Sequence, residues 1–367
     1  MVKRNVPQVA PLNSSLRQHF VQLIADQTGL KIRGHDQAVF EQAIAKRLYA
    51  LGLSFPENYY QLLEAQTSES SDEWKRFIAG ITNSESFFFR DKGQFALLKT
   101  HLFPDLIQAH QLDKTLRICS AGCSTGEEPY SIAMLLHTLI PDLENWDITL
   151  LGIDINSTAL DKARAAEYRP WSFRGVDTQM IQRFFHKDGS LYQLTQAVKD
   201  MVKFQTVNLF ADSFEALDTP VENMDLILCR NVFIYFNDAA IKEVLIKFYE
   251  ALNPSGYLVV GHAELHSQNL NQFQVKVFED AIAYQRVTGA SNQKPSRTVL
   301  RTRKPRLGSV NNGQNLDQQL EGSTTKLQKT SLELLRQLPG DTKIPRLGNL
   351  TAAELISQIE HDLDAIG

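Results

Sequence analysis

The chain has 367 residues, is 43% hydrophobic and 22% charged, and carries a formal net charge of -4. That length suffices for two domains and a tail, the composition is that of a soluble globular protein, and the slightly acidic balance argues against general polyanion binding. No apolar run approaches a membrane span and the start (MVKRNVPQVAPLNSS) has no hydrophobic signal core, so a cytoplasmic protein that is not membrane-inserted is expected. Cys119, Cys123 and Cys229 have spacings that build neither a disulfide framework nor a zinc site; buried free thiols are expected, and no metal.

Residues 12 to about 80 read as a small helical unit. Phe20, Leu23 and Ile24 share one helical face, and Val39, Phe40, Ala43, Ile44 and Leu48 share another. Tyr59, Tyr60, Leu62 and Leu63 begin a further helix after Pro56. The adjacent pair Lys46 and Arg47 on the second helix reads first as solvated surface.

From Leu116 to about Val287 strands and helices alternate. The expected strands are Leu116–Ser120, Ile148–Ile153, Val202–Val207, Leu226–Cys229, Tyr257–Gly261 and Ala281–Val287. Helices are expected at Tyr130–Ile140, Ser157–Ala166 and Asp238–Leu252, the last closed by a turn at Asn253, Pro254 and Gly256. This alternation predicts an α/β fold, a mostly parallel sheet covered on both faces. Phe184–Lys203, with Asp188-Gly189 as a turn, reads as a small hairpin-bearing insertion.

The first strand runs into a loop of small residues, Ser120 to Gly126, and then directly into a helix. Gly122 and Gly126 have the wrong spacing for a dinucleotide fingerprint, and no Lys-Ser or Lys-Thr follows to make a phosphate loop. Glu127 and Glu128 stand where a phosphate would want bare amides. The loop is therefore either a cradle for a ligand with a cationic portion or a tight structural turn. Asp154 ends the second strand, where a carboxylate can hold ribose hydroxyls or cap a helix. Asn208 and Leu209 follow the third strand, and Arg230, Asn231 and Tyr235 follow the fourth. Ligands in such sheets bind outside the carboxyl ends of the strands, so Gly122, Asp154, Asn208 and Asn231 are expected to line one crevice.

After about Gly289 the composition changes: six basic residues and no acidic ones lie between Ser291 and Arg306. A disordered linker is expected over 289–345. Thr351 and Glu354 have capping-box spacing and Leu355, Ile356, Ile359, Leu363 and Ile366 form a stripe, so an amphipathic helix is expected over 346–367, able to meet a protein partner.

The blocks SESFFFR (Ser84–Arg90), SAGCSTGEEPYSIA (Ser120–Ala133), GIDI (Gly152–Ile155), VNLF (Val207–Phe210), CRNVFIYF (Cys229–Phe236) and NPSGYLVVGHAE (Asn253–Glu264) occur in that order. In this combination the chain resembles the S-adenosylmethionine-dependent methyltransferases of the chemotaxis receptor (CheR) type, which esterify glutamate side chains of proteins. The resemblance implies a helical, substrate-recognising domain over 1–85 and a Rossmann-like class I methyltransferase domain over 86–288, with its small β insertion near 184–203. It implies that Ser84, Ser86, Arg90, Glu128, Asp154, Asn208, Leu209 and Asn231 surround the cofactor with Gly122 of the loop, and that Arg230 lies beside it. Asp154 would take the ribose and Glu128 the cationic methionyl end, while Arg90 and Tyr235 would face the reacting methyl group as the catalytic pair. Lys46 and Arg47 become candidates for docking the cytoplasmic coiled coil of a chemoreceptor; a monomer is expected, and no nucleic-acid partner. Phe87–Phe89 read as packed aromatics, Cys123 as a stand-in for a small residue, and Glu127 as a helix cap. The chain departs from the family at Ser84, where Asn is common, and at Tyr49, where a basic residue is often found. The short Asp188–Leu191 turn points to action without a receptor C-terminal peptide.

A glutamate with a pKa near 4.3 is already a carboxylate nucleophile at neutral pH, so no general base is needed. Two competing readings differ at identifiable positions. A methyltransferase for nucleic-acid amines or small molecules would carry Asn/Asp-Pro-Pro-aromatic after the fourth strand, where this chain has Arg230-Asn231-Val232-Phe233. A non-catalytic S-adenosylmethionine-binding signalling module would have no use for Arg90 and Tyr235.

Overall fold

Capping residues set the limits of the N-terminal helices. In the computed structural model, which describes residues 10–262, 264–265, 268–279, 281–287 and 298–299, α1 (Ser14–Thr28) starts where the Asn13 side chain accepts from the Leu16 amide at 2.8 Å. It stops at Gly29, whose φ of 70° is left-handed. α2 (Gln37–Leu51) stops in the same way at Gly52. α3 (Pro56–Glu64) has proline in its first turn, and α4 (Ser68–Ile81) is capped by the Thr67 hydroxyl. Their inner faces meet in an aromatic core of Phe20, Phe40, Tyr59 and Phe77, with ring centroids 5.7–6.5 Å apart in tilted or edge-on pairs. Val39, placed on the buried face by periodicity, is 54% exposed; Phe40, Ala43, Ile44 and Leu48 already fill that stripe.

Arg47 is not a surface cation. Its guanidinium donates to both oxygens of Glu73 on α4, at 2.6 and 2.7 Å, and the Tyr59 hydroxyl donates to the same carboxylate at 2.9 Å. Glu73 is 1% exposed, so this pair crosses the core and joins α2, α3 and α4. Of the two residues expected to dock a partner, Lys46 is exposed, and Arg47 is half-buried with its charge paired.

α5 (Lys92–Leu97), a π-helical turn (Leu98–Leu102) and α6 (Phe103–Ala109) lead into the sheet. The chain then runs through β1 (Thr115–Ala121), α7 (Glu127–Leu139), β2 (Asp147–Asp154), α8 (Ser157–Ala165), β3 (Glu167–Tyr168), α9 (Thr178–Phe184), β4 (Phe185–Asp188), β5 (Leu191–Leu194), α10 (Gln196–Lys199) and β6 (Val202–Thr206). It continues through β7 (Met224–Cys229), α11 (Asp238–Ala251), β8 (Leu252–Val260), β9 (Phe273–Val277) and β10 (Ile282–Arg286). The strand order is β9-β10-β8-β7-β1-β2-β6, parallel except for β10, which lies antiparallel between β8 and β9. This is the class I methyltransferase sheet that the resemblance implied. Thr298–Val299 adds a short parallel pairing on β9; the rest of the expected linker and the expected C-terminal helix lie outside the described residues.

Successive residues of the central strands feed opposite cores. Leu116, Ile118, Leu150, Leu226 and Leu228 enter one, and Cys119, Ala121, Leu151, Ile227 and Cys229 the other. Continuous apolar strands are what a sheet covered on both faces requires. Two details differ from expectation. β8 follows α11 without an intervening turn: the pairing jumps from Met224–Leu252 to Leu226–Tyr257, so Asn253–Gly256 form a bulge inside the strand. The insertion is a three-stranded sheet ordered β3-β5-β4, because two residues ahead of the hairpin also pair with it. Among the described residues no helix is long and apolar enough to cross a membrane.

Glu73→Ala would strand the Arg47 cation and the Tyr59 hydroxyl together, and should cost about 3 kcal/mol of stability by chemical denaturation. Arg47→Ala should likewise act on stability, whereas Lys46→Ala should leave the unfolding midpoint unchanged.

Candidate active site

The loops that leave β1, β2, β6 and β7 all open at the carboxyl edge of the sheet, and the segment after α1 roofs them. Leu30 forms an antiparallel bridge with Phe236, the Lys31 amide donates to the Tyr235 carbonyl at 2.8 Å, and the Asn237 amide donates to the Gly29 carbonyl at 3.0 Å. The cavity beneath this roof measures about 490 Å³. Of the expected site residues, Ser86, Arg90, Gly122, Glu128, Asp154, Asn208, Leu209, Arg230, Asn231 and Tyr235 line it, and Ser84, Lys46 and Arg47 do not.

The loop after β1 is a tight turn whose residues also line the cavity. Gly122 has a φ of 73°, and a Cβ there would lie 2.3 Å from Val232 Cγ2 in the loop after β7. The amides of Gly122 and Cys123 donate to the Ile153 carbonyl at 2.7 and 3.1 Å. Asp154 accepts from the Ser124 amide and the Asn156 amide, both at 2.8 Å, so it braces the loop while its carboxylate faces the cavity. The following helix takes its cap from Asn156 instead, which accepts from the Ala159 amide. Burial raises the Asp154 carboxyl above its ordinary 3.8, against the pull of the amides of Asn156, Ser124 and Ile155.

Glu127 is not a helix cap. Its buried carboxylate accepts from the Thr125 hydroxyl at 2.6 Å and the Ser172 hydroxyl at 3.2 Å, and burial raises its pKa. Glu128 is already engaged: Ser120 donates to Oε1 at 2.7 Å and Arg230 to Oε2 at 2.9 Å. The Arg230 side chain, 2% exposed, also donates to Gln94 Oε1 and to the Arg90 carbonyl, and lies 5.3 Å from the Phe95 ring centre. It backs the cavity and fixes the chain at Arg90, a role that the sequence does not reveal. Gln94 was not singled out in the sequence either; it is buried and donates to the Val260 carbonyl at 2.6 Å.

Asn208 lines the cavity but its side chain is spent elsewhere. Its Nδ2 donates to the Gln27 carbonyl at 2.8 Å, and its Oδ1 accepts from the amides of Phe210 and Ala211. It joins α1 to the loop after β6, leaving Leu209 as the apolar wall. Ser84 sits behind the cavity: its carbonyl accepts from the Ser124 hydroxyl at 3.0 Å and its own hydroxyl accepts from Asn156 Nδ2 at 3.3 Å. Arg90 Nη1 donates to the Glu85 carbonyl at 3.1 Å, which turns its head into the cavity beside Ser86. Glu264 was also missed. Its carboxylate collects the amides of Gly261, Asn231 and Ile234 at 2.6, 3.1 and 3.3 Å and holds the loop after β7; the only cue was an acid just beyond a strand end. Cys123 is a buried thiol whose pKa is pushed up by desolvation, and like Cys119 and Cys229 it is free.

Residues 84–281 match the family model for the CheR methyltransferase, SAM binding domain. The chain is 34% identical over 260 residues to the chemotaxis protein methyltransferase of Escherichia coli K12, covering 70% of this chain and 86% of that protein. It is 31% identical over 270 residues to chemotaxis protein methyltransferase 2 of Vibrio cholerae, covering 73% and 90%. This chain belongs to the CheR methyltransferase family. Its cofactor is S-adenosylmethionine. The residues present fit that group: a cavity of about 490 Å³ holds one carboxylate at the tip of β2, a second at the start of α7, and an apolar wall at Leu209.

In this CheR-family enzyme Gly122→Ala combines a left-handed φ with a collision against Val232. It should destabilise the fold by about 1–3 kcal/mol and reduce S-adenosylhomocysteine affinity at least about tenfold, as read by calorimetry.

Proposed function

We propose that the enzyme transfers the methyl group of S-adenosylmethionine to glutamate carboxylates on the cytoplasmic helices of chemoreceptors, forming methyl esters during sensory adaptation. One observation carries the reading: Arg90 and Tyr235 line the cavity together, and its described lining contains no histidine to remove a proton. A carboxylate substrate needs alignment and no proton removal, and Arg90 and Tyr235 offer groups that can align it. The relatives' names, chemotaxis protein methyltransferase, point the same way.

The roles follow from the contacts. Asp154 keeps lone pairs for ribose hydroxyls after its two amide bonds, and Leu209 offers an apolar face to the adenine. Glu128 takes the amino group of the methionyl end, its charge moderated by Arg230. S-adenosylmethionine supplies an electrophilic sulfonium methyl; the protein holds the incoming carboxylate in line with it. Alignment of that kind is worth about 7–11 kcal/mol of a barrier. Arg90 orients, Tyr235 hydrogen-bonds along the transfer path, and the helical roof, with Lys46 on its surface, receives the substrate helix.

Receptor cytoplasmic fragments incubated with methyl-labelled S-adenosylmethionine should acquire base-labile label, and Arg90→Ala should lower the rate by about a hundredfold. A base-stable label would sink the ester assignment, and no label despite cofactor binding would sink the receptor assignment.

Affinity should also depend on pH. The free enzyme holds the Asp154 carboxyl above 3.8. Ribose hydroxyls donating to it favour the ionised form, so the complex holds its pKa lower than the free protein does, and binding expels a proton at intermediate pH. S-adenosylhomocysteine affinity should therefore be full at neutral pH and fall as pH drops through the raised pKa of the free enzyme. A calorimetric titration series should show this fall, and Asp154→Asn should flatten it.

A further inference from the structure

A short helical turn, Pro170–Phe173, stands between β3 and α9 and is followed by Arg174. The Arg174 guanidinium carbon lies 3.7 Å from the centre of the Phe87 ring and 4.5 Å from that of Trp171. Its Nη2 donates to Glu85 Oε1 at 3.0 Å and its Nη1 to the Trp171 carbonyl at 3.0 Å. The Arg174 side chain is half-buried, whereas Glu85 and Trp171 stay largely exposed, so the clamp lies at the surface with the cation on the Phe87 face. Arg174 does not line the cavity. The two residues it grips, however, are the two that Arg90 rests on: Arg90 donates to the Glu85 carbonyl at 3.1 Å, and its guanidinium carbon is 5.7 Å from the Phe87 ring centre. The Phe88 amide donates to the Ser172 carbonyl at 2.9 Å, so the same turn also holds the backbone between them.

We propose that Arg174 is a positioning residue for methyl transfer, which sets the direction of Arg90 by clamping Phe87 and Glu85. The inference rests on the role given to Arg90 above and extends it to a residue outside the cavity. An arginine is required because only a flat guanidinium can stack on a ring and bond a carboxylate with its edge at once.

The test measures kcat and KM on the receptor fragment for wild type, Arg174→Ala, Arg174→Lys, Arg90→Ala and the double alanine variant. Arg174→Ala should lower the parameter that Arg90→Ala lowers, by about ten- to a hundredfold, and should add nothing in the Arg90→Ala background. Arg174→Lys, which keeps the charge for Glu85 and loses the stack, should recover part of the loss. Wild-type rates in Arg174→Ala, or losses that multiply in the double variant, would overturn the proposal. If Arg174→Ala fails to fold, Arg174→Lys and Glu85→Gln are put through the same cycle with Arg90→Ala. If the wild type labels no receptor fragment, the substrate reading fails and this one is judged without substrate: the Arg90 Nε–H signal in an arginine-labelled NMR spectrum should shift in Arg174→Lys, and an unmoved signal rejects the clamp.

Discussion

A guanidinium buried at the end of β7 organises the site. Arg230 has almost no exposed surface, and a cation in that position costs several kcal/mol unless it is paired and fully hydrogen-bonded. Its partners come from three places in the chain: Glu128 at the start of α7, Gln94 on α5, and the carbonyl of Arg90 just ahead of α5. None of these segments can move without leaving a buried charge unsatisfied. The same pairing changes the electrostatics of the cavity. Two adjacent glutamates after a glycine loop suggest an acidic mouth, yet one carboxylate is bonded to two hydroxyls and the other to Arg230. The cavity is consequently close to balanced, which suits a zwitterionic methionyl end better than an acidic cradle would.

That rigidity supports backbone conformations that would not persist alone. Phe89, Asp91, Ser124 and Asn231 all have positive φ, and all stand on the segments that shape the cavity. Left-handed residues with side chains cost about 1–3 kcal/mol each unless surrounding bonds over-determine them. Here they do: Ser131 takes the Phe89 amide, Asp91 caps the next helix and meets His262 at 2.7 Å, Asp154 takes the Ser124 amide, and Glu264 takes the Asn231 amide. The carboxyls of Asp154 and Glu264 are raised by burial, so at neutral pH their ionisation subtracts from stability: the cost is absent below the ordinary carboxylate range and complete above the raised pKa of each.

Legibility in the sequence follows from whether a residue's role is set by its own backbone or by a distant partner. Gly122 and Asp154 could be read because a glycine before a helix and an acid at a strand tip express local constraints. The central strands could be read because burial on both faces leaves continuous apolar runs. The strand Phe273–Val277 has only Phe273 fully buried and offers no such run. Asn208 lines the cavity, but its side chain answers to Gln27, 181 residues earlier, and no local pattern encodes that. Arg47 and Glu73, or Arg174 and Glu85, are likewise indistinguishable from solvated charges until the fold brings each pair together.

For the glutamate substrate proposed above, the state of Arg90 bears on how the carboxylate would remain reactive in this cavity. A full bidentate pair between Arg90 and an incoming glutamate would stabilise the ground state and weaken the nucleophile, since only interactions stronger in the transition state accelerate transfer. Arg90 is not free to make that pair unhindered: one of its nitrogens is held by the Glu85 carbonyl and its head lies near Phe87. A guanidinium with part of its hydrogen-bonding capacity already used can steer a carboxylate without gripping it. On the proposed glutamate reading, transfer would depend less on the presence of a cation than on how firmly that cation is held by groups other than the substrate.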